Sequence, residues 1–212
     1  GLDAKANGST GYTKSPVTVY QEDIYLGYRY FDTFRKLVLY PFGYGMSYTS
    51  FTILPKEMKQ EKEEVEFITE VTNSGNYAGK ETIQLYLSCS GTESEKPEKE
   101  LKGFAKTRLL APGEKQNISI RISMQDLAGY VETSASYILE KGKYQFFIGN
   151  SSRETIFAGE IQIREDYIIK KCVNRLCVQN CNVEHLQVLS AREGRKKGSE
   201  CMKKKKRKRP MV

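Results

Sequence analysis

The chain has 212 residues, 39% hydrophobic and 28% charged, with 34 Lys/Arg against 26 Asp/Glu. That usage is globular, with room for one sizeable core plus extensions, and no apolar run approaches the ~18–20 residues of a membrane-spanning helix. The formal net charge of +8 sits at one end: residues 192–212 hold 11 basic and two acidic side chains, leaving −1 for residues 1–191, so the fold's own surface gives no argument for nucleic acid.

Residues 1–19 are rich in Gly, Ser, Thr and Lys and read as an extended lead-in without a hydrophobic period. Apolar residues recur loosely over 17–28, where a short strand or helix is expected, followed by an irregular path. Residues 20–51 hold 11 of the chain's 23 aromatics, seven Tyr and four Phe, with Gly27, Gly43 and Gly45 among them. Aromatic rings bury large areas and tyrosine hydroxyls need partners, so this segment reads as an interdomain seam. Its run Tyr40-Pro41-Phe42-Gly43-Tyr44-Gly45 excludes a helix interior.

From residue 48 the period becomes two, starting a strand that Pro55 is expected to end. EVEFITEVT places Val65, Phe67, Thr69 and Val71 on one face, the alternation of a half-buried strand. ETIQLYL points Ile83, Leu85 and Leu87 inward; residues 88–100 read as a loop, and order resumes at Leu101. Ala111-Pro112-Gly113-Glu114 is a type II turn signal. QNISIRI alternates through Ile118, Ile120 and Ile122, and residues 124–128 suit one helical turn. Residues 129–132 read as a strand, KYQFFIG shares a face through Tyr144, Phe146 and Ile148, and a last strand covers 155–164. Seven or so short strands parted by turns make an all-β, immunoglobulin-like sandwich. With no tryptophan and no cysteine pair to staple the sheets, the fibronectin type III-like variety fits better than an antibody-type domain.

Beyond the sandwich, residues 166–190 carry a roughly helical apolar spacing over 172–189. Residues 191–212 read as a disordered basic tail, with seven consecutive basic residues at 203–209. The abrupt composition there favours an unselected end over a nucleic-acid-binding tail.

Candidate chemistry is sparse. Glu22, Asp23 and Asp32 could be imagined as an acid/base pair, but solvated charges and seam contacts are the favoured reading. Cys177, Cys181 and His185, with Cys172 just before, would share a helical face. Three positions at that spacing span about 12 Å, too far for one ion, so no metal or cofactor is expected. His185 is the sole histidine, and nucleophilic catalysis through it is disfavoured. The odd count of five cysteines, four of them beyond residue 171, favours reduced, cytoplasmic thiols. The chain begins at Gly1 with no visible signal peptide, a start that suits a fragment. N-x-S/T sequons stand at Asn7, Asn117 and Asn150; they matter only in a chain secreted by a eukaryote.

Five pieces carry a resemblance: YLGYRYFDTF, YPFGYGMSYTSF, VTNSGNYAGKETIQLYL, KELKGFAKTRLLAPGE and YILEKGKYQFFIGNSSRET. In this order, and over roughly residues 19–164, they resemble the C-terminal part of family 3 glycoside hydrolases, the β-glucosidases and relatives. The resemblance implies retaining hydrolysis of β-linked sugars by a carboxylate pair about 5–5.5 Å apart. Those carboxylates belong to a (β/α)8 barrel and an α/β sandwich domain, and neither motif is found here, so no catalytic residue is assigned. What carries over is structural: Gly27, Tyr28, Arg29, Tyr30, Asp32, Pro41, Phe42, Gly43, Tyr44 and Gly45 match the connection between the α/β domain and the fibronectin-like module. Arg29 and Asp32, three apart, suggest an ion pair or charge-assisted hydrogen bond.

The organisation expected is therefore 1–47 as the end of an α/β domain and interdomain linker, 48–165 as the fibronectin type III-like domain, then the helix-bearing segment and the tail. The expected role is a non-catalytic piece of a β-glucosidase-like hydrolase that braces the barrel and the α/β domain. A β-linked saccharide then belongs only to the complete enzyme. The alternative is a stand-alone carbohydrate-binding or adhesion module; a membrane partner is not expected.

Overall fold

The computed structural model describes residues 22–173. After one short helix, α1 (Tyr28–Thr33), the described residues form ten strands: β1 (Phe51–Gln60), β2 (Glu64–Asn73), β3 (Thr82–Ser90), β4 (Glu100–Lys106), β5 (Lys115–Ser123), β6 (Gly129–Val131), β7 (Ser136–Leu139), β8 (Gly142–Gly149), β9 (Thr155–Ile163) and β10 (Tyr167–Lys171). The large layers are a three-stranded sheet β1-β2-β5 and a four-stranded sheet β4-β3-β8-β9, with a small sheet β10-β7-β6 at the side. Every pairing is antiparallel.

Period-two alternation explains why the two layers face each other. Val65, Phe67 and Val71 on β2 and Ile118, Ile120 and Ile122 on β5 meet Ile83, Leu85 and Leu87 on β3 and Tyr144, Phe146 and Ile148 on β8, all buried. Phe67 and Phe146 bridge the layers with ring centroids 4.8 Å apart. Each fully buried large side chain contributes about 1.5–3 kcal/mol. At Ala111-Pro112-Gly113-Glu114 the Glu114 amide donates to the Ala111 carbonyl at 2.9 Å, with Gly113 at φ 78°, as a type II turn requires. One buried polar residue ties the turns together. The Asn73 amide nitrogen donates to the Tyr77 and Leu110 carbonyls, at 2.7 and 2.8 Å, and its oxygen accepts from the Thr49 hydroxyl and the Gly75 amide.

Several elements differ from the sequence reading. Pro55 does not end the first strand, which starts at Phe51 and runs to Gln60 through a bulge between Pro55 and Glu57. β1 is the outermost strand of its sheet, a place where proline's missing N–H is tolerated. The loop expected over 88–100 is shorter, since β3 extends to Ser90 and β4 starts at Glu100. The short element expected over 17–28 is not found in its described part, since residues 22–27 form turns and irregular chain, and the helix α1 covers Tyr28–Thr33, where an irregular path was expected; residues 17–21 lie outside the described residues. Tyr167–Lys171 is a strand, pairing with β7, where a helix-bearing segment was expected; all five residues are exposed, so no inward stripe marked it. The helical spacing of 172–189, its thiols and His185, and the basic tail lie outside the described residues, apart from Cys172 and Val173.

Candidate functional site

Residues 22–48 run across the outer face of the four-stranded sheet, and the side chains beneath them explain why they stay there. Gln84 and Tyr86 point away from the core yet are 6% and 0% exposed, because the lead-in roofs them. Tyr28 stacks on Phe42 with centroids 4.6 Å apart and meets Tyr86 edge-on at 6.1 Å. The Tyr28 hydroxyl accepts from the Leu101 amide, 2.8 Å away. Below it, the Tyr86 hydroxyl donates to the Gln84 side-chain oxygen, and the Gln84 nitrogen donates to the Asn150 carbonyl at 2.7 Å. Burial raises the Tyr86 phenol's pKa, so it serves as a neutral donor.

Pro41 to Tyr44 make the second anchor. Tyr44 N–H donates to the Pro41 carbonyl, Ser152 N–H donates to the Phe42 carbonyl, and Gly43 sits at φ 82°. A β-carbon on Gly43 would run into the Gln84 amide, so both the turn and the close approach require glycine there. Gly27, at φ 58°, starts α1, whereas Gly45 has nothing within 4 Å of where a β-carbon would stand.

The ion pair suggested for Arg29 with Asp32 does not form. Arg29 bonds Glu100 at 2.9 Å, and Asp32 accepts from Arg153 Nε at 2.8 Å, while Arg153 also donates to the Lys36 carbonyl at 2.7 Å. Residues three apart on one helical turn instead reach the first residue of β4 and the turn between β8 and β9, fastening α1 at two places. Further fastenings are Tyr25, 4% exposed, donating to Glu95 at 2.7 Å, and the Glu98 amide donating to the Thr33 hydroxyl at 2.9 Å. Sequence reasoning missed Gln84, Tyr86, Glu100 and Arg153. The usable signal was in QLYL, which places a glutamine and a tyrosine on the face that β-alternation turns away from the core.

The outer side of the lead-in is bare. Leu37 and Leu39 are each 93% exposed, Met46 93% and Tyr48 97%. Tyr30 and Tyr44 also face outward; Tyr30 leans on Phe34 and Tyr44 on Tyr40, both at 5.0 Å. An apolar crevice of about 220 Å³ lies between α1 and residues 38–42, and a polar cleft of about 290 Å³ lies between residues 32–37 and the turn at 152–153. Glu22 and Asp23, the other carboxylates considered, precede α1 and take no part in either cleft. Burial pushes the Cys89 thiol up to about 12, too high for a thiolate nucleophile at neutral pH. Among the described residues no group of three or more His, Cys, Asp or Glu is placed to hold a metal ion, and no helix is long and apolar enough to cross a membrane.

Two antiparallel layers with a strap of aromatic chain across one of them define a fibronectin type III-like module. The family model described as "Fibronectin type III-like domain" matches residues 81–152. The chain is similar to the β-glucosidase A of Butyrivibrio fibrisolvens, 38% identical over 180 residues that cover 74% of this chain and 22% of that one. Among solved structures it is similar to β-glucosidase 3B of Thermotoga neapolitana in complex with α-D-glucose (38% identity, TM-score 0.67, covering 71% of this chain and 21% of that one). It is likewise similar to the Kluyveromyces marxianus β-glucosidase in complex with glucose (34% identity, TM-score 0.69, 72% and 19%). Over about 70% of its length the chain is thus similar to the fibronectin type III-like part of family 3 β-glucosidases. It spans about a fifth of the length of the curated relatives it matches.

Proposed function

We propose that this chain is the bracing module of a family 3, β-glucosidase-like hydrolase, with residues 22–48 as the seam against its neighbouring domains. The observation that carries the proposal is the two-sidedness of the lead-in. Its inner side is fastened by Tyr28, Arg29, Asp32 and Gly43, while its outer side offers Leu37, Leu39, Met46 and Tyr48 to water. Large apolar side chains left bare along one segment point to an interaction site, and the relatives carry most of their length outside the matched part. In that complete enzyme the barrel and the α/β domain would supply the carboxylate pair that hydrolyses a β-linked saccharide.

The module itself places no reactive centre on the seam. Purified chain given an aryl β-glucoside is expected to release nitrophenol no faster than buffer, and not to be retained on insoluble glucan. Turnover above buffer that copurifies with the chain overturns the proposal, and retention favours a carbohydrate-binding module instead. A chimera with residues 22–165 in place of the matched segment of the Thermotoga enzyme tests bracing directly. Leu37→Asp with Met46→Asp is expected to lower its melting temperature while leaving the isolated chain unchanged.

A further inference from the structure

The edges of the two large layers cover each other, with β1 lying against β9 and β4 against β5. β10 is placed differently. Among the described residues it pairs with β7 alone, as the outermost strand of its sheet, and all five of its residues are exposed. Such an edge is a template for pairing with another strand. Residues 165–171 read Glu-Asp-Tyr-Ile-Ile-Lys-Lys, acidic at one end and basic at the other. Charges on the outer face of β1-β2-β5 are matched within the chain, where Glu66 meets Arg121, and Glu70 meets Lys115 and Lys56. Lys170 and Lys171, by contrast, are in no salt bridge among the described residues. Glu165 accepts from the Tyr167 hydroxyl at 2.8 Å, and Asp166 accepts from the Lys141 amide at 2.6 Å.

We propose that the free edge of β10 pairs antiparallel with β10 of a second copy of this chain, about a two-fold axis between the two copies of Ile168. In that register Ile168 faces Ile168, Tyr167 faces Ile169, Asp166 faces Lys170 and Glu165 faces Lys171. Every charge of the run then meets its opposite, and each pair occurs twice. Opposite charges directly across a strand pair are stabilising, and like charges are destabilising. Parallel pairing in register would set Glu165 on Glu165 and Lys171 on Lys171. An axis moved to Ile169 would set Lys171 on Tyr167 and Lys170 on Ile168, with the acids against Cys172 and Val173. The Ile168 register matches all four charges, and a two-fold pairing of this kind closes after two copies. Lysine on an edge ordinarily keeps foreign strands away; here the guard yields to one sequence, the strand's own. The strand is short and bulged against β7 between Ile168 and Lys170. The contact therefore stays below the standard interface of about 1,200–2,000 Å², and the dimer is weak. The inference uses no residue of the seam and stands apart from the bracing reading.

The test is sedimentation of the full 212-residue chain, kept reduced so that no cysteine links two copies. Over roughly 10 µM to 1 mM a monomer–dimer equilibrium is expected, with Kd on the order of 100 µM. Glu165→Lys sets a lysine against the copy's Lys171, and Lys171→Glu sets a glutamate against the copy's Glu165. Each alone is expected to raise Kd at least about tenfold. An equimolar mixture of the two variants restores both attractive pairs and is expected to dimerise as well as the parent. Asp166 is left unchanged because it holds the Lys141 amide. Both substitutions fall on exposed side chains, and each is read separately, so a folding defect in one leaves the other as the test. A chain that stays monomeric across that range, dimerisation indifferent to both reversals, or a mixture no stronger than the variants apart overturns the proposal.

Discussion

The Leu101 amide donates to the Tyr28 hydroxyl at 2.8 Å, across 73 positions of sequence. This bond joins the lead-in to the second residue of β4, and the Tyr28 ring simultaneously stacks on Phe42. Tyr28→Phe keeps the stack and deletes the acceptor. It is expected to cost about 0.5–1.5 kcal/mol, with faster hydrogen exchange at the Leu101 amide and little change in the core. Unchanged exchange at Leu101 would show that the bond does not hold the strap.

Asp32 and Arg153 form the second clamp, with side chains 9% and 35% exposed. Solvent on the arginine side discounts the pair, so a coupling on the order of 1 kcal/mol is expected from the cycle of Asp32→Asn and Arg153→Gln. The same cycle on Asp32 and Arg29 is expected to give no coupling, since Arg29 bonds Glu100.

Gly43→Ala is strained twice, by φ 82° and by the Gln84 amide against the new methyl. A loss of about 1–3 kcal/mol is expected, read as a lower midpoint in urea. Gly45→Ala meets open space and is expected to lie within about 0.5 kcal/mol of the parent.

Glu140 gives the fold a pH dependence. It is 5% exposed, and burial disfavours its charge, but the Ser94 hydroxyl and amide and the Lys96 ammonium at 3.2 Å outweigh that, holding the carboxyl below its ordinary value. A carboxyl depressed by folding contributes stability above its unfolded pKa of about 4.3, lost as pH falls through the folded value. Melting curves from pH 6 to pH 3 are expected to decline more steeply for the parent than for Glu140→Gln. Parallel declines would remove Glu140 as a cause.

The bare stripe is expected to be neutral for the isolated chain. Leu37→Ser and Tyr48→Ser remove side chains 93% and 97% exposed, so stability is expected to move by less than about 0.5 kcal/mol. A larger loss in either variant would mean that the side chain packs on this chain.

The sandwich is legible in the sequence because each inner strand alternates. Val65, Phe67 and Val71, or Tyr144, Phe146 and Ile148, leave only one face to bury. Pro55 misleads because the cost of a proline depends on whether the strand is outermost, which depends on pairing and not on the strand's own residues. β10 is invisible for the opposite reason: exposed on both faces, Tyr167–Lys171 has no period to read. The seam residues can be picked out as a group, but their partners cannot. Arg29 and Asp32 reach Glu100 and Arg153, 71 and 121 positions away, and nothing local in the sequence encodes either distance.

The ion-paired outer face of β1-β2-β5 has a practical consequence. Its Glu66–Arg121 and Glu70–Lys115 links are exchangeable with water, and Asn117 stands exposed beside them on β5. That side is the handle by which the protein can be tethered to a sensor chip or tagged with a dye. Asn117→Cys, in a chain whose own five cysteines are replaced by alanine or serine and coupled to either, leaves the strap on the far layer free to meet whatever is offered to it.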